Sequence, residues 1–381
     1  MLIFIIIILP FSLLLIYKEK ISILYCLVIS LLITYFILFP RVCIDSALMG
    51  LKLFINSVFP TIFPFLFLCN MLICYDGIEL YSKLIGPIIC TPLRLSKQCS
   101  LPLIISFLCG YPLGAKYSTD LYEKGFICEE EYIRLLNIAS NVSPLFLLGS
   151  VATAMFNNSY VGYIMLIGSY SSCFIMSLLI KPIKSSPQYF DNNKSIDTNI
   201  GNALRKSLED ATKTCMAVAG FIVIFSVITY AVKNSSIYQS LVYLVMNNFR
   251  INKALLDSLF LGMMETTNGC YIISKSALNI ETKISIASFL CSFSGFSIIA
   301  QVHSFTYKHK GFKLRIYTIR KLAQGLISAG ITYLICTFIL ESSAALSSSI
   351  TISKNIYFIF MMILLCISFL VYLFGSLFNR S

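Results

Sequence analysis

Residues 135–180 run for 46 positions without an Asp, Glu, Lys or Arg. A helix needs about 20 mostly apolar residues to cross a bilayer, so this run is long enough for two crossings with a turn at Asn157-Asn158. Further charge-free stretches of spanning length lie at 1–17, 21–40, 53–75, 214–232, 284–307, 322–340 and 355–379. Across all 381 residues, 57% are hydrophobic and 12% charged, with a mean hydropathy of +0.84. That balance is far from the composition of soluble domains. It excludes a soluble enzyme, a nucleic-acid binder and a secreted disulfide scaffold. The expected fold is an all-α polytopic membrane protein with about nine transmembrane helices plus two re-entrant or broken segments.

The net charge of +12 is explained by the bilayer rather than by nucleic acid. Lys and Arg in short loops hold orientation toward the cytoplasm. The densest basic run is Lys308, Lys310, Lys313, Arg315, Arg320 and Lys321, with no acid among them. The most polar stretch, 181–206, carries five basic and two acidic residues. Both are expected in the cytoplasm, with Asn157 and Asn234 on the opposite side. Arg41, Lys52, Arg250 and Lys253 run against the charge rule in this arrangement. The fourteen cysteines are scattered, no pair forms C-x-x-C, and two histidines are present. No metal site, cofactor or disulfide framework is expected. No catalytic constellation is present, so the chain is not read as an enzyme. The apolar N-terminus lacks a basic leader region and is expected to be a retained span.

Placing both polar loops inside divides the chain into parts. Residues 1–42 are N-terminal transmembrane helices, 43–182 a first repeat, 183–204 a polar cytoplasmic linker, 205–321 a second repeat, and 322–381 C-terminal transmembrane helices. In each repeat an apolar helix precedes an amphipathic stretch, then a Gly-interrupted segment, then a helix with a Ser-rich cluster. The charge rule gives the two halves opposite orientations. Paired broken segments in oppositely oriented halves point to a midplane binding site in transporters.

Four clusters are candidate solute-binding residues. Gly110, Tyr111, Pro112, Gly114 and Lys116 interrupt an apolar segment, with glycines that permit close backbone approach and a proline that frees a carbonyl. Asn141, Ser143 and Pro144 form a second break, with Ser143 33 residues after Gly110. Glu265 begins the run with Thr267, Asn268 and Gly269; an intramembrane carboxylate is a functional-site hypothesis by default. Ser292, Ser294, Gly295 and Gln301 complete the set, Ser294 lying 29 residues after Glu265. Competing readings are plainer: a tight turn with a snorkelling lysine at Lys116, interhelical glue at the Ser and Asn positions, and an interfacial place for Glu265 and His303.

These motifs in this order resemble the sporulation integral membrane proteins of YlbJ type, in the nucleoside-recognition or Gate domain group. The resemblance rests on Phe59-Pro60 with Phe63-Pro64-Phe65, Ser106 through Gly110-Tyr111-Pro112-Leu113-Gly114-Ala115-Lys116, and Asn141-Val142-Ser143-Pro144-Leu145-Phe146. It continues with Glu265-Thr266-Thr267-Asn268-Gly269, then Ser292 to Gln301 followed by His303. The motifs cover roughly residues 45–325. The chain departs from the pattern in reading Ser140-Asn141-Val142 where a second Asn-rich signature is expected. The resemblance implies a protein made during sporulation, needed for spore cortex formation, in a mother-cell-derived membrane around the forespore. The expected partners are the lipid bilayer, a small polar solute and other sporulation membrane proteins, and not nucleic acid. The expected function is transport or export of that solute. The alternative is a non-transporting scaffold that positions cortex-synthesis proteins.

Overall fold

A computed structural model describes residues 21–75, 77–181 and 199–345, and every regular element there is helical. The expected spans at 1–17 and 355–379 and most of the linker at 183–204 lie outside the described residues. Helices α1 (Ile21–Leu38) and α2 (Pro40–Leu53) meet at Phe39, where the chain bends by 104°. Pro40 sits at the first turn of α2, where a missing N–H costs nothing. A π-helical turn (Phe54–Val58) leads into α3 (Phe59–Cys74), followed by the short α4 (Gly77–Leu84) and α5 (Gly86–Ile89).

Next come two packed helices, α6 (Ser100–Cys109) and α7 (Leu113–Glu123), which form a hairpin with its tip at Gly110–Pro112. Helix α8 (Glu129–Ile138) ends in an irregular break over residues 139–143 and resumes as a π-helical segment (Phe146–Met155) before α9 (Ser159–Leu179). After the linker, α10 (Ile200–Asn234) and α11 (Ser236–Phe249) precede a second hairpin of α12 (Lys253–Met264) and α13 (Thr266–Ser274). Helices α14 (Ile280–Phe293) and α15 (Gly295–Thr306) are one rod broken at Ser294, and α16 (Leu314–Ala345) closes the described chain. Each half therefore presents a helical hairpin followed by a broken helix.

Side-chain caps fix where several helices begin. Asn158, Asn199, Ser235 and Asn252 accept from backbone N–H groups at the starts of α9, α10, α11 and α12, satisfying donors that a helix start leaves open. The 35 residues of α10 make a rod of about 52 Å at 1.5 Å per residue. Its charged first turns extend beyond the apolar stretch 214–232, which alone matches the hydrocarbon thickness.

Four described helices are long and apolar enough to cross a membrane: Ser159–Leu179, Ile200–Asn234, Ile280–Thr306 and Leu314–Phe338, or up to six with two bent pairs counted as spans. Residues 135–156 are interrupted where the second break is expected, over 139–143. Pro144 has no N–H for the ladder and its ring crowds the carbonyl of Ser140, so the helix stops and restarts as a wider coil.

Helix α16 shows which solvent surrounds the molecule. Its buried face carries Tyr317, Lys321, Gln324, Ser328 and Thr332, while Leu326, Leu334 and Phe338 are exposed at 56–67%. In water this pattern would be inside out. Against hydrocarbon it is the stable one, because polar groups find partners only within the protein. The seam is hydrogen bonded throughout: Thr332 Oγ1 donates to Ser288 Oγ at 2.8 Å, and the Ser328 hydroxyl lies 2.8 Å from those of Ser288 and Ser292. Gly168 of α9 lets α16 approach, since a Cβ there would strike the Thr332 hydroxyl. Charge patterning puts Lys321 in a cytoplasmic basic loop, and the structure corrects this. Helix α16 begins at Leu314, so Lys321 lies two turns inside it and is 1% exposed.

Arg134 closes the first half in a similar way. Its guanidinium donates to the carbonyls of Ser177 (2.7 Å), Leu93 (2.9 Å), Lys181 (3.0 Å) and Ile180. Three of these belong to the C-terminal end of α9, where the last carbonyls of a helix have no intrahelical donor and the dipole favours a cation.

Candidate functional site

The two hairpin tips and the two helix breaks meet. At the first tip, Gly110 has φ +83°, a conformation that costs glycine little, and a Cβ there would come 2.6 Å from the Ser143 nitrogen. The next N–H, that of Tyr111, donates to the Asn141 carbonyl at 2.7 Å. Gly114, at the start of α7, lies directly against the Ala139 carbonyl. The first hairpin is thus seated on the break of its own half. Tyr111 also reaches the other half, its hydroxyl donating to the Cys291 carbonyl at 3.2 Å.

At the second tip Glu265 is the N-cap of α13. Its two carboxylate oxygens accept the N–H groups of Thr267 (3.0 Å) and Asn268 (2.9 Å). Charge-assisted bonds and the positive end of the helix dipole hold the carboxylate in one place. The arms of this hairpin touch through Gly262 and Gly269, and Ser258 Oγ donates to the Gly269 carbonyl at 3.0 Å. Beside it, Ser294 and Gly295 both have positive φ, 75° and 73°, which separates α14 from α15.

Between these elements lies a cleft open on one side. Its polar wall is Tyr111, Ser143, Glu265, Thr266, Thr267, Ser297 and Gln301, and Pro112 joins them at the first tip. Its apolar wall includes Leu53, Ile62, Phe146, Val218 and Ile222. The polar residues cluster around the starts of α7, the Phe146–Met155 segment, α13 and α15. The lining contains one carboxylate and no Lys or Arg. The Thr266 hydroxyl is buried and has no hydrogen-bond partner.

Of the residues expected from sequence, Tyr111, Pro112, Ser143, Glu265, Thr267 and Gln301 line the cleft. The others stand behind it. Gly110, Gly114, Gly269, Ser294 and Gly295 shape the tips and breaks. Asn141 is buried in a network with Gln324 Nε2 (3.2 Å) and the Ile138 carbonyl (2.8 Å). Asn268 gives its N–H to Glu265, and Ser292 bonds the Ser169 and Ser328 hydroxyls. Pro144 breaks the helix without reaching the cleft. Lys116 is 3.1 Å from Asp120 and also lies outside the lining. His303 is exposed, as the interfacial reading has it. Sequence reasoning missed Thr266 and Ser297 as lining residues, and Lys321 and Gln324 as the support of the first break. A signal for the last two is present: positions 317, 321, 324, 328 and 332 recur at helical spacing on one face. Among the described residues no three His, Cys, Asp or Glu side chains are grouped to hold a metal ion.

The fold and the cleft define the class: a polytopic helical membrane protein with a transporter-like arrangement of paired hairpins and broken helices. Comparison with known proteins narrows it. The chain is 25% identical over 331 residues to the sporulation integral membrane protein YlbJ of Bacillus subtilis (strain 168), covering 79% of this chain and 81% of that one. No family model matches the chain. Among solved structures, it is similar to CNTnw in an inward-facing substrate-bound state, with a TM-score of 0.45, 16% identity, and 86% of this chain and 88% of that chain covered. A doubly substituted CNTnw in an outward-facing state gives a TM-score of 0.44 and 17% identity, with 86% and 89% covered.

Proposed function

We propose that this protein carries a small, uncharged, hydroxyl-bearing solute across a membrane around the forespore, in support of spore cortex formation. The observation that carries the proposal is the convergence of both hairpin tips and both helix breaks on one cleft. Freed backbone groups, hydroxyls and a carboxylate are each costly in hydrocarbon. Gathering them in one space satisfies them together if that space receives a polar molecule.

The lining suggests the chemistry of the solute. Glu265 uses one lone pair on each oxygen in capping α13 and keeps others for a donor, so a solute hydroxyl suits it. Ser297 and Gln301 can donate or accept. With no cationic side chain in the lining, a strongly anionic solute has no full counter-charge. The sporulation setting rests on the YlbJ relative's name and on the motif resemblance.

In sporulating cells that carry this chain as their only copy, Glu265→Gln should leave the protein in the membrane at near-normal abundance and impair cortex formation. Normal cortex with that variant would contradict transport through this cleft and favour the scaffold role.

A further inference from the structure

Lys321 is a buried lysine whose ammonium has no carboxylate partner. Its Nζ donates to the Ser140 carbonyl at 2.6 Å and to Gln324 Oε1 at 2.7 Å, and the side chain is 1% exposed. The titratable groups facing it are the Cys173 thiol of α9 and, one turn earlier on its own helix, Tyr317, whose hydroxyl lies 2.6 Å from Ser140 Oγ. Gln324 extends the contact by donating to Asn141 Oδ1 at 3.2 Å. Three residues of one face of α16 thereby grip Ser140 and Asn141, the centre of the break that leads to Ser143 in the cleft.

An unexplained buried charge is expensive and is retained only where it compensates something. Here it meets the carbonyl of Ser140, released at the break just past the C-terminal end of α8. Where helices unwind in transporters, freed carbonyls and helix C-termini are the groups that take up a coupling cation. We infer that Lys321 is a built-in cation for this break: its ammonium fills the place an inorganic cation would take, so the break over 139–143 is held without Na⁺ or K⁺. Lys321 is a positioning residue, acting on the cleft through Asn141 and Ser143. The inference concerns the break itself and stands whether or not the cleft carries solute.

The experiment reads cation dependence, not flux. Full-length protein in nanodiscs is unfolded thermally in NaCl, in KCl and in N-methyl-D-glucamine chloride at equal ionic strength. The wild-type midpoint should be the same in all three. Lys321→Ala opens a void against the Ser140 carbonyl, so its midpoint should fall by several degrees and be partly restored by ethylammonium chloride, a salt to which the wild type is indifferent. A saturable rise of the wild-type midpoint with Na⁺ or K⁺ would overturn the inference, as would a Lys321→Met variant as stable as wild type. If the Lys321 variants cannot be recovered folded, the wild-type cation series still decides.

Discussion

Thr266 and Glu265 sit side by side in the cleft but should respond differently to substitution. Thr266→Val keeps the shape and removes a hydroxyl that bonds nothing in the protein. Stability should change little, because no partner is left unsatisfied, and flux should change less than with Glu265→Gln because the hydroxyl is sealed from the cleft. Glu265→Gln retains one accepting oxygen and turns an NH₂ toward a backbone N–H, costing about 1 kcal/mol of capping energy in addition to the loss of flux. Thermal midpoints in detergent beside flux in vesicles separate the two. Arg134 should behave in the opposite sense. Arg134→Met strands carbonyls at Leu93, Ser177, Ile180 and Lys181, and should destabilise by about 3 kcal/mol without a residue of the cleft being touched. Residues of this kind show what a sequence hides. Glu265 is conspicuous because it is a charge in an apolar run. Arg134 and Lys321 look like loop charges because each stands at the edge of such a run, and only packing reveals that α8 and α16 carry them inward.

At the scale of elements, the hairpins and breaks are legible because Gly and Pro interrupt apolar segments at 110–114, 144 and 295, and backbone chemistry allows few continuations there. The first tip falls at the same residues, whereas the second turns at Glu265. What stays hidden is the division of labour, since glycines and serines that shape a break look the same in sequence as those that line it. Gly295 and Gly220 give a controlled pair for the shaping role. Gly295→Ala places a Cβ at φ +73° and 2.9 Å from the Thr266 hydroxyl, and should cost about 1–2 kcal/mol and disturb the cleft. Gly220 lies in α10, and a methyl group added there would have nothing within 4 Å, so Gly220→Ala should be neutral or stabilising by about 0.5–1 kcal/mol. Gly114→Leu, pressed on the Ala139 carbonyl, should impair assembly as well as flux, as judged by membrane abundance.

The described residues form a set of helices whose buried faces are in places more polar than their exposed ones, and composition alone is enough to place the chain in a bilayer. The charge rule predicts the sidedness. Single cysteines at Asn157 and Asn234, both exposed, should be labelled by an impermeant thiol reagent from the non-cytoplasmic side, on a background without other cysteines. A cysteine at exposed Lys310 should be protected from it. Labelling of Asn157 and Lys310 from the same side would remove the oppositely oriented halves from the account. The most direct measurement is flux itself. Purified protein in sealed vesicles is offered labelled, uncharged, hydroxyl-bearing solutes, including nucleosides and small sugars, beside vesicles with Glu265→Gln and vesicles without protein. At least one solute should equilibrate faster with wild type than with either control. Equilibration of every solute at the empty-vesicle rate, with the wild-type protein folded and inserted, would contradict a solute pathway through the cleft.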